Sequence, residues 1–201
     1  MDKFYAIEPV SENICRFDLN TFMNKQRSIY YKFKFEGEGI DVIDKYFLQI
    51  QEEVNEVKFA ESTRDMLLEL IDVCMYLGST FYVFKDTTMF EDIIAVKTNV
   101  HSLGFNDLKD KAIQVVDEIQ SALFFCRRMF PERKWHKTYN PDNIDPMRYE
   151  IFSNVILESI VKLIGFLFNH YSYSVISYHL NDKQKFIGEQ LVVPVKEAVK
   201  W

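Results

Sequence analysis

Glycine and proline are scarce, at six and five of 201 residues. That argues against a sandwich or barrel, whose chain turns about every ten residues. Cysteine is scarcer still. Cys15, Cys74 and Cys126 are far apart and odd in number, with no CxxC pair or Cys/His cluster. Neither a disulfide framework nor a zinc site is indicated. Positive charge is in deficit, with 24 Lys and Arg against 30 Asp and Glu and a net charge of −6. A non-specific nucleic-acid binder neutralises phosphates with Lys and Arg, so nucleic acid is not the expected partner. There is no GxSxG nucleophile pattern and no Walker-type phosphate loop. His101, His170 and His179 have no ligand spacing and read as structural residues.

The opening MDKFYAIEP lacks the basic start and apolar stretch of a signal peptide, so a cytoplasmic protein is expected. The most apolar segment, Ile151–Tyr178, contains Glu158, Lys162, Asn169 and His170. It reads as a buried helix rather than a bilayer span, and no membrane partner is expected.

What is abundant is core. Hydrophobic residues make up 48% and aromatics 15%, so disorder is not expected. With no two-domain boundary in the pattern, a single helical domain over 1–201 is expected. Helices are expected over Thr21–Phe35, Asp41–Phe59, Ser62–Phe84, Asp107–Met129 and Asp145–Tyr171. The second carries Ile43, Tyr46, Phe47, Ile50, Val54 and Val57 at three-four spacing. Ser62 followed by Asp65 is a capping-box pattern that opens the third. Phe90–Val100 receives no assignment from its pattern, and Asn181–Gln190 is a polar cluster. The expected fold class is all-α, an antiparallel bundle of about five or more helices. Pro131–Pro146 is the expected excursion from it.

The chemistry concentrates in a helical hairpin over about residues 41–84. Glu53 and Glu56 are three apart on its first helix, and Glu69 and Asp72 are three apart on its second, so each pair shares a face. Counted from the turn at Ala60–Ser62, Glu56 and Glu69 stand at roughly 9 and 10 Å, and Glu53 and Asp72 at roughly 13 and 15 Å. In an antiparallel hairpin the four acids can converge. Asp65, Glu69, Asp72 and Tyr76 form a narrow stripe on a helix that is otherwise nearly all apolar, so the convergence is partly buried. Crowded carboxylates losing hydration need cations or protons, and a hard cation such as Mg²⁺, with Mn²⁺ as a substitute, suits them. The plain alternative is that both acid pairs are solvated faces of ordinary helices.

Glu53-x-x-Glu56, twelve residues, then Glu69-x-x-Asp72 resembles the ExxE…ExxD pattern of the all-alpha nucleotide pyrophosphohydrolases, the MazG-like and dimeric dUTPase/dCTPase group. The surrounding LQIQEEVNEV and LLELIDVCMYLGS are similar to that group as well. Gln26, in NKQRSI, resembles the family's first-helix Gln near the base pocket. Asn181 with Gly188 seven residues later resembles the C-terminal NxxRQxxG, with Gln184 in place of Arg and Lys185 in place of Gln.

The resemblance implies a helical homodimer that hydrolyses a (deoxy)nucleoside triphosphate, dUTP and dCTP among the options, to the monophosphate and pyrophosphate. It implies Glu53, Glu56, Glu69 and Asp72 as metal ligands. Gln26, Asn181 and Lys185 would be substrate-binding. Glu53 is the choice for the catalytic base that orients water. The short VKFAESTRDMLL between the acid pairs lacks the aromatic-rich segment usual in dimeric dUTPases, which favours a MazG-like or divergent enzyme.

CRRMFPERKWHKTY is a basic patch in an acidic chain. Arg133, Lys134 and Lys137 could hold a triphosphate and Trp135 could stack on a base; a solvated loop is the alternative. Two non-enzymatic readings stay open. One is a regulatory or partner-binding helical protein without activity, and the other is a nucleic-acid module using Arg127–Lys137.

Overall fold

The structure, a computed structural model, describes residues 7–11, 14–33, 40–84, 93–97, 103–130 and 146–189. The chain is mostly helical, as its composition predicts. Its helices are α1 (Leu19–Phe33), α2 (Ile40–Phe59), α3 (Thr63–Phe84), α4 (Phe105–Arg127), α5 (Pro146–His170) and α6 (Tyr173–Glu189). The polar cluster at Asn181 thus belongs to a sixth helix.

A small antiparallel sheet is an addition the sequence did not announce. Strands β1 (Ile7–Ser11), β2 (Ile14–Asp18) and β3 (Ile93–Lys97) pair in the order β1-β2-β3. Cys15 pairs with Pro9 on one side and Val96 on the other, and β1 carries an irregularity between Pro9 and Ser11. Along β2, Cys15 and Phe17 are buried and Arg16 is exposed, the alternation of a half-covered strand. β2 runs straight into α1. Asp18 caps that helix, accepting from the Thr21 amide at 2.9 Å and the Thr21 hydroxyl at 3.0 Å.

α3 is the centre of the molecule and packs on α1, α2 and α5. Met66, Leu67, Leu70, Ile71, Val73, Cys74 and Leu77 are buried around its circumference. Each such side chain contributes on the order of 1.5–3 kcal/mol to burial. α3 and α5 are both long and apolar enough to cross a membrane, and both are mostly buried within the structure. The α2–α3 turn follows the expected chemistry. Ser62 accepts from the Asp65 amide at 3.1 Å, and its hydroxyl donates to the Asp65 carboxylate at 2.6 Å.

α4 closes the other side of α2. Arg127 makes a two-pronged pair with Asp44, at 2.6 and 3.0 Å, and Lys58 pairs with Asp117 at 2.7 Å. Arg127 is thereby committed to the fold rather than to an open basic patch. Arg133, Lys134, Trp135 and Lys137 of that patch lie outside the described residues, as does all of the expected excursion at 131–146 except Pro146, which opens α5.

Candidate active site

The antiparallel α2–α3 hairpin brings the two acid pairs together. Carboxylate oxygens of Glu53, Glu69 and Asp72 all lie within 4.8 Å of one another, and all three residues are half-buried. Glu56 is exposed and stands outside this tight triad, but it lies close enough to hydrogen-bond Glu69 and to repel Glu53. The site is therefore three clustered acids with a fourth at the solvent edge.

The crowding has an electrostatic signature. Burial, then repulsion from Glu56 and Glu69, pushes the Glu53 carboxyl up to about 7, and Lys183 only partly offsets this. Burial and Glu56 raise Glu69 as well. The Tyr76 hydroxyl is also raised, first by burial and then by Glu53, Glu52 and Glu56. It donates to Gln49 at 3.0 Å, and Gln49 in turn donates to Glu52 at 2.7 Å. Tyr76, Gln49 and Glu52 thus form a hydrogen-bonded side-chain path beside the triad that ends on the exposed face of α2.

Lys183 enters from α6 and ion-pairs with Asp72. It lies in the field of Glu69, Glu53 and Glu56, and burial lowers its own pKa against their pull. Nothing local in the sequence marks this residue, because its partner is 111 positions away. The detectable signal was a lysine two residues after Asn181 in a polar cluster.

The acids stand at the edge of a cavity of about 460 Å³ lined in part by Glu53, Asp72 and Lys183. Its aromatic wall is Tyr30, Phe33, Tyr46 and Tyr76, and its neutral polar groups are Gln26, Gln49 and Ser79. Burial and the neighbouring Tyr30 and Tyr76 keep Tyr46 a neutral hydroxyl.

Gln26 is fully buried on α1. Its amide donates to the Met75 sulfur at 2.7 Å, and its carbonyl accepts from Ser79 at 3.4 Å. Gly78 makes room for it, since a Cβ there would come within 2.8 Å of Gln26 Cγ. Gln26 therefore sits in the cavity wall.

The other two α6 residues are placed differently. Asn181 accepts from Lys25 at 3.0 Å and donates to the Ser177 carbonyl at 2.7 Å, tying α6 to α1. Lys185 is exposed and does not line the cavity. Gln184, where the motif has Arg, is buried and donates to the Phe22 carbonyl at 3.4 Å.

The donor set fits a hard divalent cation. Three carboxylates converge with their oxygens in reach of a common point, and an ammonium already stands in as their cation. No protein-family model, curated protein or solved structure matches this chain.

Proposed function

We propose that this chain is a magnesium-dependent nucleoside triphosphate pyrophosphohydrolase, cleaving a (deoxy)nucleotide to monophosphate and pyrophosphate. The observation that carries the reading is the triad of Glu53, Glu69 and Asp72 within 4.8 Å at the edge of a cavity that also holds Gln26. A volume of about 460 Å³ lies in the range of small-molecule sites, roughly 300–1,000 Å³. The aromatic wall suits the face of a base, and the Gln26 carboxamide offers both a donor and an acceptor to its edge.

When bound, a divalent cation would supply charge neutralisation for phosphate oxygens and a more acidic water. Glu53, which lines the cavity beside Glu69 and Asp72, is the residue proposed to receive that water's proton in its ionised form. Glu69 and Asp72 complete the oxygen donors, and Glu56 adds negative charge at the solvent edge. Among the described residues lining the cavity Lys183 is the one cationic group, and once released from Asp72 it would suit a phosphate oxygen. The homodimer, the cytoplasmic setting and any role of Arg133, Lys134, Trp135 and Lys137 come to the reading from sequence alone.

The nucleic-acid alternative loses Arg127 to its pairing with Asp44. The deciding experiment is a panel of ribo- and deoxynucleoside triphosphates with Mg²⁺ or Mn²⁺, scored for pyrophosphate. Turnover of at least one nucleotide that stops with chelator is expected. A panel silent with both metals would return the chain to the regulatory or partner-binding class.

A further inference from the structure

Asp72 is committed to Lys183, and Lys183 is held among four acids by a helix distant in sequence. The α6 backbone is anchored beside it. Ile176, Leu180 and Gln184 are buried, Gln184 binds the Phe22 carbonyl, and Asn181 binds Lys25. The ammonium, by contrast, ends a flexible four-carbon stem, and the cavity it lines gives that stem somewhere to go. A divalent cation held by Glu53, Glu69 and Asp72 would lie beside this ammonium and repel it. The cation would also draw on the Asp72 carboxylate that Lys183 now engages.

We propose that Lys183 is a tethered counter-ion that competes with the divalent cation for Asp72, so that metal entry requires its ammonium to swing off the carboxylate into the cavity. The proposal rests on the reading of the triad as a cation centre. It makes metal affinity a property of α6 as well as of the hairpin. It also frees the ammonium from Asp72 only once the metal is bound, so that it can then meet an anionic substrate group in the cavity it lines.

The test is Mn²⁺ binding to the full-length, metal-free protein, read from the free-ion electron paramagnetic resonance signal. Lys183→Met should bind Mn²⁺ more tightly than wild type by roughly tenfold, equivalent to about 1.4 kcal/mol. Lys183→Arg, which keeps the charge, should stay close to wild type. Lys183→Gln supplies the same comparison if Lys183→Met does not fold. Binding by the uncharged variant alone would support the competition in its strongest form.

Wild-type binding with equal or weaker affinity in the uncharged variants overturns the counter-ion but leaves the cation centre standing. No Mn²⁺ binding by any form overturns both. A second readout is independent of affinity. The hydrogen-bonded lysine ammonium resonance of Lys183 should be visible in the metal-free protein and vanish or shift on adding Mg²⁺. Persistence of that signal at saturating Mg²⁺ refutes the displacement.

Discussion

Replacing Glu53 by Gln should stabilise the metal-free protein at neutral pH, although Glu53 is proposed as the central functional residue. In the folded chain burial and the neighbouring acids hold its carboxyl at about 7, above the ordinary 4.5. A carboxyl raised by folding binds more protons folded than unfolded between those values. The contribution of Glu53 to stability is therefore full below about 4.5, falls as pH rises towards about 7, and is flat above.

Taken whole, the displacement corresponds to roughly 3 kcal/mol. Glu53 is only half-buried, and screening by water reduces this to about 1–2 kcal/mol. At about 2–4 °C per kcal/mol for a chain of this size, Glu53→Gln should raise Tm by about 2–8 °C at pH 8 with chelator. At pH 4 it should change little. Thermal or urea unfolding at both pH values measures this directly. Mg²⁺ should then stabilise wild type at pH 8 more than the variant, because it binds the folded acids and not the unfolded chain. Loss of stability at pH 8 in metal-free Glu53→Gln, or a wild-type stability relative to the variant that does not fall from pH 5 to pH 8, would refute the crowding.

The other predictions concern catalysis and the cavity. Glu53→Gln, Glu69→Gln and Asp72→Asn should each remove essentially all hydrolysis while circular dichroism stays unchanged, and Glu56→Gln should also lower turnover, less steeply from its exposed position. Wild-type turnover in two of the four would refute the site assignment. Gly78→Ala should push Gln26 out of the cavity wall, because the new Cβ meets Gln26 Cγ at 2.8 Å. A several-fold rise in KM with kcat less affected is expected, and unchanged steady-state constants would show that Gln26 does not touch the substrate.

The hairpin was legible in the sequence because it is local. Helical periodicity placed Glu53 and Glu69 on facing stripes, and the Ser62 cap fixed the turn from which their levels could be counted. The same count put Glu56 level with Glu69, and the two do lie within hydrogen-bonding reach. It carries no information about depth, and Glu56 turned out exposed.

Long-range partners left no such trace. Lys183 meets Asp72 only because α6 folds back along α1 and α3, and α6 itself shows a narrow buried edge, Ile176, Leu180 and Gln184, amid polar residues. The sheet was missed for a different reason. Its strands are five residues each, too short to separate period two from chance, and Pro9 in β1 argues against a strand interior. Only the β-branched run Ile93, Ile94 and Val96 in β3 offered a signal. The cavity depends on how α1 and α6 lie against the hairpin, so of its lining only Gln26, Glu53 and Asp72 were identifiable beforehand.

Hydrolysis in ¹⁸O-water, followed by phosphorus NMR of the products, tests the central claim most directly. With Mg²⁺ and a nucleotide that turns over, the label should appear in the nucleoside monophosphate, and the pyrophosphate should be released intact and unlabelled. Orthophosphate as the first product, or ¹⁸O in the released pyrophosphate, would contradict attack at the α-phosphorus and overturn the proposed pyrophosphohydrolase activity.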